Sequence, residues 1–163
     1  MKTDFELPSA YVHRVTASNA DVDAYGHVNN SVYLRWLDET AWAHSAALGV
    51  PPARCVALRR GMVVWRSLLH YTAPAFAGDA LEVGTWIVSR DGRLRVDRRF
   101  QLRRATDGRT LLRGLLCYAC VDLDSGRPRR MPPEFLASYA PLPEVAAVAA
   151  GSTDDLALAT TPR

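Results

Sequence analysis

Hydrophobic and polar positions change period three times along the 163-residue chain. Between Tyr11 and Ser18 they alternate, which predicts a first strand. From Val32 to Leu48 the period lengthens to that of a helix. Val32, Trp36, Leu37, Thr40, Ala41, His44, Ala47 and Leu48 share one broad stripe, and Arg35, Asp38, Glu39 and Ser45 stand around its sides. Gly49 closes that helix, and Pro51 and Pro52 bar its continuation. From Gly61 the period falls to two. Val63, Trp65, Ser67, Leu69 and Tyr71 occupy one strand face and Val64, Arg66, Leu68, His70 and Thr72 the other. Leu81 to Ser89, Leu94 to Arg104 and Thr110 to Asp122 read as further strands. The turns Ala77-Gly78-Asp79, Asp91-Gly92 and Asp107-Gly108 then predict three consecutive hairpins in an antiparallel meander. A turn at Asp124 to Arg127 comes next, and Pro132 or Pro133 can open a short helix running to Tyr139.

A single long helix, apolar over more than half its circumference and followed by strands with few external helices, is best buried if the sheet curls around it. The expected class is α+β, one domain over residues 11–140. Residues 1–10 form an N-terminal extension. Residues 141–163, rich in Ala and Thr and without an aromatic anchor, read as a mostly disordered tail that could hold a short helix. A hydrophobic content of 48% suffices for a real core. The opening MKTDFELPSA lacks the apolar run of a leader, and no later run approaches the roughly 18 apolar residues of a membrane span, so the expectation is a cytoplasmic protein that meets no membrane. Three cysteines make no disulfide framework. Cys117 and Cys120, three apart on a strand, point to opposite faces and are assigned to packing.

The net charge is only +3, yet residues 89 to 113 hold nine arginines against three aspartates, a local excess that invites an anionic ligand. Nucleic acid is not the expected partner, because the aromatic residues are not interleaved with those arginines as a stacking platform requires. No Gly-rich phosphate loop and no zinc-ligand set occurs, so neither metal nor other cofactor is expected. The densest polar chemistry lies elsewhere, in DVDAYGHVNNS immediately before the apolar helix. Taken alone, Asp, Asn and Ser at that place are ordinary helix-capping residues.

The string Asp21-Val-Asp-Ala-Tyr-Gly-His-Val-Asn-Asn30, followed by Tyr33-Leu34, Glu39 and Trp42, resembles the hotdog-fold acyl-CoA thioesterases of the 4-hydroxybenzoyl-CoA thioesterase family. Its D-x-Y-x-H-V-N-N form is most similar to the bacterial long-chain acyl-CoA enzymes. The resemblance continues through His70-Tyr-Thr-Ala-Pro-Ala-Phe-Ala-Gly-Asp79 and Cys120-Val-Asp-Leu-Asp124 to Glu134, and so covers about Tyr11 to Tyr139. Tyr25 stands where the related acyl carrier protein thioesterases usually carry Asn, which argues against that branch.

The resemblance implies a hotdog fold, a five-stranded antiparallel sheet wrapped around one long central helix, in a homodimer or homotetramer with active sites at subunit interfaces. It implies an acyl-CoA substrate, fatty or aromatic, hydrolysed to free acid and CoA. Asp23 matches the family's catalytic carboxylate, acting as nucleophile or as general base on a water. Backbone N–H groups around Asn30 and Ser31, lacking intrahelical partners, would polarise the thioester carbonyl. His27 would orient Asp23 or a water, and Gly26 would let backbone approach the substrate beside Tyr25. The Asn29 and Asn30 side chains would tie the turn to neighbouring backbone, and Glu39 fits the family's helix acid. Arg90 and Arg93 lie where family members often hold CoA phosphates. The competing expectation is a carrier-protein-linked thioesterase or a noncatalytic acyl-binding module. Asp21 is expected to be a solvated or capping residue, and His44 and His70 to pack or hydrogen-bond at an edge.

Overall fold

All five stretches of period two form strands, and the computed structural model, which describes residues 5–151, joins them in one antiparallel sheet. They are β1 (Tyr11–Thr16), β2 (Arg60–Tyr71), β3 (Ala80–Arg90), β4 (Arg95–Arg104) and β5 (Thr110–Asp122). The helices are α1 (Asn30–Ala47), α2 (Pro52–Leu58), α3 (Pro133–Ser138) and α4 (Pro143–Gly151). Helix α1 packs on one face of the sheet. Its Tyr33, Trp36 and Leu37 form a buried cluster with Leu81 and Val83 of β3, Phe100 and Leu102 of β4, and Leu112 and Leu116 of β5. Each of those large side chains contributes about 1.5 to 3 kcal/mol by burial, so this cluster anchors the helix firmly. The arrangement is the α+β hotdog fold.

The sheet order is β1-β3-β4-β5-β2, which corrects the expected meander. Only β3, β4 and β5 follow one another by hairpins. Strand β2 pairs with β5, Gly61 opposite Val121 and Tyr71 opposite Leu112, rather than with β3. The reason lies in the Ala77-Gly78-Asp79 turn, whose backbone bonds to the segment after β1. Gly78 N–H donates to Ala17 O at 2.8 Å, and Ala17 N–H to Asp79 O at 3.0 Å, which directs the chain into register with β1. Strands β1 and β2 are thereby the two edges. On β2, Val63, Val64 and Trp65 are between 40% and 46% exposed, in a stretch that also holds a register shift.

Three local expectations need correcting. Pro52 does not merely end a helix; it starts α2, since proline suits the first helical position, where no N–H is needed. On α1, Ser45 is buried and Ala47 is exposed, and the Ser45 hydroxyl is tolerated there because Tyr139 Oη and Arg98 donate to it, each at 3.2 Å. The segment from residue 141, read as a mostly disordered tail that could hold a short helix, holds α4 over Pro143–Gly151, and what departs from that reading is that α4 is docked. Val145, 1% exposed, anchors α4 beside Leu7, Trp86, Val88 and Leu115 on the sheet face opposite α1. The rest of the expected tail lies outside the described residues.

Residues 5–10 cover the same face. Gly84 is needed there, because a Cβ at that position would come within 2.6 Å of the Phe5 ring, and Trp86 Nε1 donates to Pro8 O at 2.7 Å. All three cysteines are buried and free, and burial pushes the Cys117 and Cys120 thiols up to about 12 and about 11. Among the described residues no helix is long and apolar enough to cross a membrane.

Candidate active site

The stretch from Val22 to Val28 folds into a tight loop closed by an isolated bridge between its two valines. Asp23 N–H donates to His27 O at 2.9 Å, and Gly26 N–H to Asp23 O at 3.0 Å. Gly26 adopts φ +78°, a left-handed conformation that glycine reaches without strain, and so lets the loop reverse in few residues. The Asp23 carboxylate accepts from Tyr25 N–H at 2.9 Å through Oδ1, and Oδ2 has no partner among the described residues. Asp23 is half-buried, and Tyr25 is 87% exposed. Below the loop, Val28 N–H donates to Ala75 O at 2.9 Å, which fixes the loop against the segment that comes after β2.

Helix α1 starts at this loop. Asn29 is its cap, with Oδ1 accepting from Ser31 N–H at 2.9 Å and from the Ser31 hydroxyl at 2.7 Å. The Ser31 amide, expected to be available to substrate, is therefore already occupied. The Asn30 N–H, the first of the helix, has no acceptor among the described residues and remains for an incoming oxygen. Asn30 and His27 line a cleft of about 320 Å³ together with Tyr33, Tyr71 and Thr72. The His27 imidazole lies edge-on to Phe76, ring centroids 5.3 Å apart, and makes no side-chain hydrogen bond to Asp23.

Two tyrosines absent from the expected set build the cleft wall. Tyr33 Oη accepts from Ala75 N–H at 2.8 Å, Tyr71 Oη donates to Asn30 O at 3.2 Å, and burial pushes both phenols above their ordinary range. The signal for them was their place in the family-like strings, at the helix start and directly after His70.

Of the two readings of Asp21, solvated or capping, the structure bears out capping: with Ser18 it forms the capping box of the short 3-10 turn Asn19–Asp21. Asp21 is buried, accepts from Ser18 N–H and the Ser18 hydroxyl, both at 2.8 Å, and pairs with Arg35 at 2.6 Å. The Ser18 bonds, followed by the Arg35 guanidinium, outweigh burial and hold its carboxyl below the usual range. Its backbone carbonyl also accepts from Asn29 N–H at 2.8 Å, so Asp21 is the strut that ties the loop to α1.

Asp23 itself is not among the residues that line this cleft, and Glu39, Arg90 and Arg93 stand further off. Glu39 faces Arg35 at 3.8 Å on the outer side of α1, nine residues and so about 14 Å along the axis from Asn30. Arg90 and Arg93 lie at the β3–β4 turn. Arg90 donates to Leu136 O of α3, and Arg93 is exposed. Strand β3 begins beside Ala17 and ends at Arg90, so these arginines stand on the order of 30 Å from the loop end of the sheet. Much of the arginine excess is spent internally: Arg103 pairs with Glu82 at 2.8 Å, Arg104 with Asp79 and Asp107, and Arg113 with Glu6.

The model of the thioesterase-like superfamily matches residues 18–139, which span the loop, α1 and the whole sheet except β1. Solved structures share the fold. A 1,4-dihydroxy-2-naphthoyl-CoA thioesterase from Synechocystis is 17% identical with a TM-score of 0.72, covering 80% of this chain and 96% of its own. A DHNA-CoA thioesterase from Staphylococcus aureus is 19% identical with a TM-score of 0.74, covering 80% and 88%. A hypothetical protein from Thermus thermophilus is 26% identical with a TM-score of 0.72, covering 78% and 95%. No curated protein matches the chain.

Proposed function

The chain belongs to the thioesterase-like superfamily and is a thioester hydrolase, and on that footing we propose that Asp23 carries out the reaction on a fatty or aromatic acyl-CoA. The observation that carries the proposal is a half-buried carboxylate with one oxygen unpartnered among the described residues, in the loop that leads into a helix start whose first amide is unclaimed. The thioester carbonyl would sit against Asn30 N–H, where the helix dipole adds to the hydrogen bond as negative charge grows on oxygen. Asp23 either attacks the carbonyl carbon to give a mixed anhydride or takes a proton from an attacking water. In both routes the C–S bond breaks and sulfur leaves as the CoA thiolate; the general-base route gives the acid directly, whereas in the nucleophilic route a water then hydrolyses the anhydride, releasing the acid and restoring Asp23. No step calls on a metal or another cofactor. The aromatic acyl-CoA substrates named for two of the structural relatives make an aromatic thioester a reasonable first choice beside a fatty one.

The partner we propose is a second copy. Strand β2 is an edge that exposes Val63, Val64 and Trp65, and pairing along it would cover them in a homodimer or homotetramer. In that assembly Arg90 and Arg93 would meet CoA phosphates only from the neighbouring protomer, since they stand at the far end of their own sheet. Light scattering tests this, and a fully active monomer would overturn it. For the chemistry, Asp23→Asn is nearly isosteric and should lower turnover by about two to four orders of magnitude without changing the circular dichroism spectrum. Near wild-type thiol release by the folded variant would remove Asp23 from the mechanism.

A further inference from the structure

Beside the middle of α1, the structure holds a second cavity, of about 250 Å³, that the proposed hydrolysis does not use. Its walls are largely apolar, contributed by Ala41, Trp42, Met62, Val63, Val64 and Val96. Its lining also includes Arg98, which is only 3% exposed. A buried guanidinium is expensive unless an anion compensates it. Arg98 forms no ion pair with a carboxylate among the described residues. Nη1 meets His44 Nδ1 at 2.7 Å, Nη2 donates to Ser45 Oγ at 3.2 Å, and the guanidinium carbon sits 5.9 Å from the Tyr118 ring centroid. Burial together with Arg98 pushes His44 down to about 4, so at neutral pH it is an uncharged acceptor and supplies no counter-charge. Two polar atoms of these lining residues are buried without a partner among the described residues: Arg98 Nε and the Tyr118 hydroxyl.

We infer that this cavity binds the carboxylate of a small apolar acid, with the acid group on Arg98 and Tyr118 Oη and the hydrocarbon part against the apolar wall. The chemistry selects that class. A guanidinium edge and one hydroxyl offer the few donors that a planar monoanion needs. A phosphate would bring more charge and more oxygens than the apolar wall can satisfy, and a neutral ligand would leave the cation uncompensated. The volume also suits it, since an apolar cavity of about 150 Å³ already admits benzene. Asp38 is the one acid on the lining, and as a like charge it opposes the ligand. The inference does not depend on the role of Asp23.

Calorimetric titration of the full chain with benzoate and hexanoate, beside benzamide and hexanamide, tests it. Saturable binding of an acid, about tenfold or more tighter than its amide, is expected. Arg98→Met should abolish that preference while melting at an equal or higher temperature, because an apolar side chain replaces an unpaired buried cation. Should that variant fail to fold, Tyr118→Phe decides, with acid binding weakened about two- to fivefold and amide binding unchanged. Asp38→Asn should tighten the acid. Acid and amide bound alike, no saturable acid binding, or a preference untouched by Arg98→Met and Tyr118→Phe would each overturn the inference.

Acid binding should persist in Asp23→Asn, so a failed hydrolase assignment would leave this result standing. The source of the acid is read from thioesters whose acyl chain ends in a carboxylate or in its methyl ester. A kcat/KM loss in Arg98→Met confined to the carboxylate-ended substrate assigns the cavity to the far end of the acyl group. Equal rates on both, with inhibition by added free acid that Arg98→Met removes, assign it to a free carboxylic acid.

Discussion

At the N-terminal end of α1 the polar groups face water: Asp23 is half-buried, Asn29 is exposed, and His27 and Asn30 are exposed on the lining of an open cleft. Two to four turns further along the same helix the arrangement is inverted, with largely apolar walls and a buried cation on the lining. The difference arises from what each region must hold. Asp23, the proposed base or nucleophile, has to be reachable by substrate, and it gives only one oxygen to a local amide. A cation buried without a carboxylate adds nothing to folding by itself, and its place in the core is explained by something it receives.

The widest separation between the two regions should come from Asp23→Asn, where turnover collapses and the melting temperature does not move. Truncation after Leu142 should show the reverse, because α4 lines neither region. Losing the burial of Val145 beneath α4 removes about 1.5 to 3 kcal/mol of stability, read as a lower urea midpoint, with kcat at room temperature unchanged. A fall in kcat at full folding would mean that the removed segment reaches the cleft.

Acid should affect the buried region. His44 titrates at about 4 in the folded protein and near 6.5 when unfolded, held down by burial and by Arg98. The folded state therefore binds its proton later than the unfolded state. The stabilisation is full above pH 6.5 and is lost progressively as pH falls to about 4. After discount for partial exposure, about 1 to 2 kcal/mol should disappear across that window, and His44→Gln, which keeps an acceptor for Arg98, should flatten this part of the curve. An unchanged slope would show that His44 is not the group responsible.

The smallest expected effect is at the helix cap. Asn29→Ala should cost about 1 kcal/mol and free the Ser31 amide, so a modest fall in stability accompanied by a several-fold fall in kcat would show that cap geometry holds Asn30 in place. Unaltered kcat would confine Asn29 to folding.

Much of this molecule was legible in local pattern. Period two marked all five strands, and one long apolar stripe marked α1, because those periods record which side chains are removed from water within a single element. The capping residues in the string before α1 were legible for the same reason, since the Asn29 cap is a contact across two residues, whereas Gly26, expected to admit substrate, serves to turn the loop. Partners distant in sequence leave no such trace. Nothing in β2 says that its ladder belongs to β5, because an alternating strand can satisfy its backbone against any antiparallel neighbour. The choice came from Gly78 and Asp79 bonding to Ala17.

Long-range contact decided the rest too. Val145 has the same small side chain as residues that stay in solvent, and it counts as an anchor only because Trp86 and Leu7 lie opposite. Arg98 was one of nine arginines in a basic stretch, indistinguishable from Arg103, which found Glu82. Composition and period determined the elements, because these are settled by short-range sterics and burial, while the hotdog arrangement and the place of the proposed site came from the resemblance carried by the string before α1. Which strands pair, which arginine is left in the core without a carboxylate, and how far Arg90 and Arg93 stand from Asp23 were decided only when α1 and the sheet closed on one another, since burial and charge compensation depend on neighbours brought from tens of residues away.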